Sequence, residues 1–427
     1  MKIFLLLCFL SLPVAAQNCF LNDDPSLTKD QSAALQECIN SAADYSTISI
    51  AMTGTPGRMP HVRVNRTIRV NGRYNLAIEC PGGHTMSAGA PGFYWGGSDG
   101  GTVLNTSGSS AIRIEHCNFV SGLPSNAGGT GGANILIDVD ISSTVGSTVT
   151  TTEHAYDDLG LSANGMNPDF VAIRFSASGD ANVEFMRVTN SHVQCSTTTD
   201  RSAVVGKGIY IAGYTFDAIR HNYSGNNIGY CDQAIRALYG MPDVGNNHFQ
   251  TNRVCVEALA SPIRIHDSDS ENCGQFFVGQ VGTVIIESNR IAACRPPAGQ
   301  GCIDTEGTVI SRGNLFNALV GLPIRSSGGG TELISEGDVF PNYQQFLAGA
   351  QTFYQFEAKA INWGFGISVM GGLQGGNAIV FDCNHGNNGL PAPNVVVLCA
   401  NGNTNKLQIS ENGGTFVNVI NGTGPQQ

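Results

Sequence analysis

Glu257 and Asp304 are the residues of this chain best placed to work as an acid and a base, because they occupy the same point in two copies of a recurring pattern. The same point in other copies holds Arg174, Tyr210, Arg236, Phe277 and Arg325. Carboxylates, guanidinium groups and aromatic rings in one row suit a saccharide groove. The acids move protons, the arginines neutralise anionic groups and the rings offer apolar faces. If the copies stack as strands, Glu257 and Asp304 lie two spacings apart, roughly 9 to 10 Å. That is near the upper end of the separation used in inverting glycoside hydrolysis, where one acid protonates the leaving oxygen and the other activates water. Elimination would use the row differently: Arg236 or Arg325 would neutralise a uronate carboxylate, and Tyr210 or an arginine of depressed pKa would take the acidified proton. A merely solvated surface is the alternative, although exposed Tyr and Phe on a flat face are a poor use of apolar area.

The pattern behind this row is VTNSHV, RHNYSG, GNNHFQ, IHDSDS, IESNRI, SRGNLF and SEGDVF. One polar column through it reads Asn190, Asn222, Asn247, Ser268, Asn289, Asn314 and Asp338, with gaps of 32, 25, 21, 21, 25 and 24 residues. A period of roughly 24 residues implies stacked supersecondary units. Between the polar positions lie short Val/Ile-rich segments such as Gly208–Ile211 and Thr283–Glu287, which alternate apolar with polar and so read as strands. Leucine-rich repeats share the period, but their Leu-x-x-Leu-x-Leu frame is missing. The pattern therefore predicts an all-β chain, a right-handed parallel β-helix solenoid in which the polar residue closes a turn of each coil and hydrogen-bonds along the stack. Within it Ile209, Ile235, Val256, Ile303 and Ile324 should point inward.

Residues 1–16 have a basic start, an apolar run and small residues before a cleavage point after Ala16, the form of a signal peptide. The run is too short to span a bilayer, and no other stretch is long and apolar enough to do so. Export agrees with the cysteines: 13 in all, of which Cys8 lies in the leader and 12 remain. Cys195, Cys231, Cys255, Cys273 and Cys294 follow the polar column, either as a buried stack of thiols or as bridges between coils. With 54 glycines, 13% charged residues and a net charge of −11, the composition suits a turn-rich β protein and not a nucleic-acid binder. The negative charge also favours a neutral or mildly acidic glycan over a polyanion.

Residues 17–50 read as an N-terminal cap, since Ala33, Ala34, Leu35, Cys38 and Ile39 form a helical stripe that would cover the open end of a solenoid. Strand signals follow at His61–Val64, Thr67–Val70 and Leu76–Cys80, then a Gly-rich turn from Cys80 to His84. FYWGGSDGGTVLNTSGSSAIRIEHCNF, Phe93 to Phe119, ends on Asn118-Phe119, which reproduces the closure at Asn247 and Asn314. In this order of elements the chain resembles the pectate-lyase superfamily of secreted β-helix proteins over roughly residues 20 to 345. The resemblance implies the fold and an action on polysaccharide. Neither the Asn-Thr-Asp, Gly-His-Gly and Arg-Ile-Lys set of polygalacturonases nor the Trp-Ile-Asp-His and Arg-x-Pro-x-x-Arg set of pectate lyases is present, so those families' catalytic residues do not carry over. Several lyases of the superfamily use Ca²⁺, for which Asp267, Asp269 and Glu271, or Asp138 and Asp140, are the ligands to consider beside a solvated reading. His154, His192, His221 and His248 have no zinc-site spacing, and no other cofactor is expected.

The β-helix is expected over 51–345. Within it 121–170 is Gly-, Ser- and Thr-rich and breaks the period, either as the wall of a groove or as a loop without function. Residues 346–427 read as a small antiparallel β appendage, with strands at 377–381, 394–398, 406–409 and 415–420 and with Cys383 and Cys399 able to join. A second outward series, Arg220, His266, Glu287, Arg312 and Glu336, reads as a surface charge ladder. Asn65, Asn105, Asn222 and Asn421 begin glycosylation triplets, with Asn222 expected to face inward. The sequence thus predicts a secreted or periplasmic glycoside hydrolase or polysaccharide lyase with a polysaccharide as partner. The competing reading is a non-catalytic carbohydrate-binding or adhesin-like protein, trimerised through the appendage.

Overall fold

Parallel strand pairing begins at Ala16 and recurs along the chain in three sheets, here numbered I, II and III in the order each coil visits them. The structure is a computed structural model. It describes residues 16–339 apart from 83–88, 127–131, 143–148, 179–180, 213–219, 260–261, 281, 318, 320–321 and 327–331. Beyond these it describes Leu347–Ala348, Thr352–Phe356, Ile379–Val380, Val396–Asn401, Lys406–Glu411 and Val417–Asn418. The chain divides into two units, residues 1–193 and 194–427, and each is a parallel β-helix.

In the first unit sheet I runs through Ala16–Leu21, Thr47–Met52, Ala77–Glu79, Arg113–Glu115, Ala155–Asp157 and Arg187–Thr189. Helix α1, Ser32–Ser41, follows the first of these strands and turns Leu35 and Ile39 inward. Those two side chains line one apolar cavity with Val64, Ile68, Phe93, Leu104 and Phe119, so the helix closes the end of the apolar interior, as its stripe predicts. Ala33 and Ala34 are exposed, and Cys38 is tied to Cys19 of the first strand. Sheet I strands start at Thr47, Ala77, Arg113, Ala155 and Arg187, so a coil here takes 30 to 42 residues. Residues 121–170 belong to this regular stacking: Ile135–Ser142 joins sheet III, Ala155–Asp157 sheet I and Gly160–Ser162 sheet II. The extra length goes into a side pair, Val149–Thr152 with Ala181–Glu184.

Coils in the second unit are shorter, 20 to 25 residues between sheet I starts at Arg220, Met241, Ile263, Thr283, Thr308, Glu332 and Thr352. Parallel stacking continues past residue 345, the expected end of the β-helix, through Leu347–Ala348 and Thr352–Phe356. Each sheet sends apolar side chains inward, among them Tyr223, Val244, Ile265 and Ile286 from sheet I, Ile228, Phe249 and Ile291 from sheet II, and Ile209, Ile235, Val256, Phe277, Ile303 and Ile324 from sheet III, all fully buried. The corner from sheet I to sheet II repeats one device. A residue of positive φ, successively Gly225, Asn246, Asp267, Ser288, Gly313 and Gly337, precedes a buried polar side chain. Those side chains are Asn226, Asn247, Ser268, Asn289, Asn314 and Asp338. Each backbone N–H but the last donates to the side-chain oxygen of the next coil's member, at 2.8–3.1 Å. Asn247, Asn289 and Asn314 also donate back to the carbonyls of Tyr223, Ile265 and Ile286.

Two members of the polar column are misplaced by the sequence pattern. Asn222 lies exposed on a sheet I strand, and the ladder position is Asn226. In the first unit Asn190 is the exposed positive-φ residue, and the buried corner belongs to Ser191, whose hydroxyl accepts from the Leu159 backbone N–H at 3.1 Å. All five cysteines that follow the column are in disulfides: Cys195–Cys231, Cys255–Cys273 and Cys294–Cys302 in the second unit. Cys19–Cys38 and Cys80–Cys117 lie in the first. Near the C-terminus Val396–Asn401, Lys406–Glu411 and Val417–Asn418 pair antiparallel as expected, whereas Ile379–Val380 pairs parallel with Val396–Val397. Cys383 lies outside the described residues, and so does its pairing with Cys399. No described helix is long and apolar enough to cross a membrane.

Asp338 ends the ladder with a carboxylate, and burial pushes its pKa up against the hydrogen bonds from Ser335 and Asn314. A raised folded-state pKa means that the folded chain gains stability as pH falls through that value and is penalised above it. Asp338→Asn keeps the accepting oxygen and removes the charge. It should therefore be more stable than wild type in urea unfolding at neutral pH, with the difference shrinking as acid is added. An equal or lower stability at neutral pH would contradict this.

Candidate functional site

Sheet III of the second unit brings most of the predicted row together. Its register pairs Tyr210 with Arg236, Arg236 with Glu257, Glu257 with Val278, Val278 with Asp304, and Asp304 with Arg325. All six are at least partly exposed and stand on successive strands of one sheet. Phe277 is not among them. It is fully buried in register with Val256 and Ile303, because a shift of one residue along a strand reverses the side a residue faces. Val278 takes its place. Arg174 belongs to the first unit, where its Nε and Nη2 each donate at 2.8 Å to one oxygen of Asp138.

The row is tied together by charge. Arg236 Nε stands 3.4 Å from Glu257 Oε2, and Arg325 Nη1 3.7 Å from Asp304 Oδ2. Asp304 Oδ2 also accepts from the Gly301 backbone N–H at 3.0 Å. Side-chain exposure is 15% for Glu257 and 14% for Asp304, so both acids are largely screened from bulk water yet reach the face. The Tyr210 ring carries two cations, Lys207 Nζ at 5.6 Å and Arg236 Cζ at 5.5 Å from its centroid. Glu257 and Asp304 are two strands apart, about 9.6 Å along the stack at the usual spacing. At one end the arrangement offers an aromatic ring and cations, and further along it two carboxylates on either side of Val278.

The other predicted positions are engaged elsewhere. Glu287 lies between Arg264 at 3.0 Å and Arg312 at 3.2 Å, Arg312 reaches Glu336 at 3.3 Å, and His266 reaches Asp243 at 3.2 Å. This is the charge ladder expected on sheet I, and Arg220 is in register with Met241. Asp269 and Glu271 share Arg290 at 2.8 and 2.7 Å, and Asp267 faces His266 at 2.8 Å. Acids already holding cationic side chains do not fit a calcium ion, and no step is derived through one.

A buried polar group in the first unit escaped the sequence. His154 and Tyr156 are fully buried; His154 Nδ1 lies 2.9 Å from the Tyr156 hydroxyl, which lies 3.1 Å from the Thr106 hydroxyl. His154 Nε2 is 3.0 Å from the Ser109 carbonyl oxygen, so the proton belongs on Nε2 and Nδ1 accepts from Tyr156. Asp138 is nearly buried as well, and burial raises its pKa despite the Arg174 fork. Only the alternation around His154 and Tyr156 marks them as inward; nothing in the sequence marks Thr106 and Ser109, which come from another coil.

No protein-family model matches the sequence, and no curated protein matches it. Among solved structures the chain is similar to Geobacillus virus E2 ORF18, with a TM-score of 0.45, 12% identity and coverage of 71% of this chain and 62% of that one. It is also similar to an alginate lyase from Paenibacillus sp. strain FPU-7, with a TM-score of 0.34, 12% identity and coverage of 81% and 99%. A GH136 lacto-N-biosidase from Eubacterium ramulus gives a TM-score of 0.33, 10% identity and coverage of 81% and 67%. The chain thus spans about three fifths of the length of the viral protein. At such scores and identities none of the three bears on what this chain does.

Burial lowers the pKa of His154 to about 4. Above its usual value near 6.5 the imidazole is neutral folded or unfolded; as pH falls from there toward 4 the unfolded chain takes the proton first, so stability is lost across that window. The loss should reach at most about 3 kcal/mol. His154→Phe should flatten the dependence of the unfolding midpoint on pH between those limits. An unchanged slope would contradict a neutral buried histidine.

Proposed function

We propose that this is a secreted protein that acts on a polysaccharide laid along sheet III of the second unit, cleaving it by hydrolysis with Glu257 and Asp304 as the acid and base. The observation that carries the reading is the register, which places Tyr210, Arg236, Glu257, Val278, Asp304 and Arg325 on successive strands of one sheet. An extended polymer matches a row of this kind, because successive sugars can meet successive strands. Tyr210 would stack on one sugar, and the arginines would orient hydroxyl or carboxylate groups. The two acids, about 9.6 Å apart by strand spacing, leave room for a water on one side of the glycosidic carbon. Export is supported by five disulfides, which persist in oxidising compartments.

Elimination is the second reading, favoured by the closeness of Tyr210 to a guanidinium. There Arg236 would neutralise a uronate carboxylate while Tyr210 removed the neighbouring proton. Reducing-end release from a panel of plant and bacterial glycans decides among these. Glu257→Gln and Asp304→Asn should each lower turnover by roughly 10²-fold or more if the pair hydrolyses. Ultraviolet absorbance of an unsaturated uronate would select elimination instead. Binding without release of ends, or full activity in both variants, would remove the catalytic assignment.

A further inference from the structure

Two tyrosines stand side by side on the corner that leads into sheet I of the first unit. Tyr45 and Asn75 each lie two residues before a sheet I strand, ahead of Thr47 and Ala77, and both have positive φ, 61° and 51°. Asn takes that conformation readily, whereas a bulky aromatic residue such as Tyr45 rarely does. Tyr74 precedes Asn75, and its carbonyl oxygen accepts from the Tyr45 backbone N–H at 3.2 Å. Asp44 Oδ1 accepts from the Tyr74 backbone N–H at 3.2 Å and stands 3.8 Å from Arg73 Nη1. Arg73 Nη2 in turn donates to the carbonyls of Ile39 and Asn40 at the end of helix α1, at 3.0 and 2.7 Å. The two rings therefore meet on backbone held from both sides, with centroids 5.3 Å apart and planes at 58° to each other. That is the contact distance of an aromatic pair. Yet this pair is not part of the core. The two residues are 55% and 47% exposed, and they are the only exposed tyrosines among the described residues.

We propose that Tyr45 and Tyr74 are a site of oxidative modification, at which a one-electron oxidant of the peroxidase class joins the two rings as dityrosine. The oxidant takes one electron and one proton from each phenol. The two radicals couple through the carbons ortho to their oxygens, and the hydrogen on each of those carbons moves to its own ring's oxygen as aromaticity returns. One hydrogen peroxide accepts the two electrons and two protons and leaves as two waters, so the product is the chain less two hydrogen atoms. Coupling needs two phenols that touch, are open to the oxidant and are not tied elsewhere. Among the described residues neither hydroxyl has a hydrogen-bond partner. The new bond also falls where the disulfides leave a gap: Cys19–Cys38 ties the first strand to helix α1, and Cys80–Cys117 ties the second coil to the third. A bond from Tyr45 to Tyr74 ties the segment leaving the helix to the second coil, and thiols do not reduce it. Oxidants belong to the same kind of compartment in which disulfides persist.

The test is mass spectrometry and fluorescence of the full chain, kept dilute, after treatment with a haem peroxidase and hydrogen peroxide. The wild type should become lighter by two hydrogen atoms and gain the blue fluorescence of dityrosine without cross-links between chains. Its digest should contain a peptide pair joined at Tyr45 and Tyr74. Tyr45→Phe and Tyr74→Phe should each lose that signal. Both variants keep the ring and remove only an exposed hydroxyl, so their folding is that of the wild type. Tyr230→Phe, half-buried in the second unit, should couple as the wild type does. Because a cross-link restricts the unfolded chain, treatment should also raise the unfolding temperature of the wild type and not that of Tyr74→Phe. No dityrosine, dityrosine between chains only, a digest that joins other tyrosines, or full signal in either of the first two variants overturns the site. Equal shifts in unfolding temperature overturn its role as a staple.

Discussion

The second unit depends on a line of buried side chains at one corner. Asn226, Asn247, Ser268, Asn289 and Asn314 each donate a backbone N–H to the buried side-chain oxygen of the next coil's member, and Asp338 accepts the last of these bonds. Such groups are costly to bury unless satisfied, so a coil that slipped by one residue would strand several of them at once. The positive-φ residue before each amide turns the chain sharply enough for the amide to point inward. Together these two residues determine where sheet I ends and sheet II begins.

Everything on the outer surface follows from that choice. With the corner set, the parity of each strand decides which side chains fill the interior and which form rows on the face. Sheet III then presents Arg236 beside Glu257 and Asp304 beside Arg325. The disulfides Cys255–Cys273 and Cys294–Cys302 hold the same coils, so the row stands on backbone with little freedom to shift. A site built this way has a geometry set by strand spacing. Its chemistry is set by which residue types occupy the outward positions.

Much of this was legible in the sequence, and the failures have physical causes. Period, strand type, the inward aliphatics and five of the six sheet III residues follow from alternation alone. Alternation misplaces Phe277 because Phe276, Phe277 and Val278 are consecutive apolar residues, which leave parity undefined. The polar column misplaces Asn190 and Asn222 because Asn also serves as a positive-φ residue, as at Asn190, or on an exposed strand face, as at Asn222, and only contacts with other coils distinguish these roles from the buried amide. Coils of 30 to 42 residues hid the first unit's regularity, since their extra length goes into side strands and connections that carry no period.

Asn289 lies in the middle of the ladder. Its oxygen accepts from the Ser268 N–H, and its Nδ2 donates to the Ile265 carbonyl and to Asn314 Oδ1. Replacing it with alanine removes the bonds made to the Ser268 N–H and the Ile265 carbonyl, a loss of about 2–6 kcal/mol at about 1–3 kcal/mol each. Equilibrium unfolding of Asn289→Ala in urea measures this directly. The ladder account predicts a loss in that range with all five disulfides intact, and a variant as stable as the wild type would contradict it.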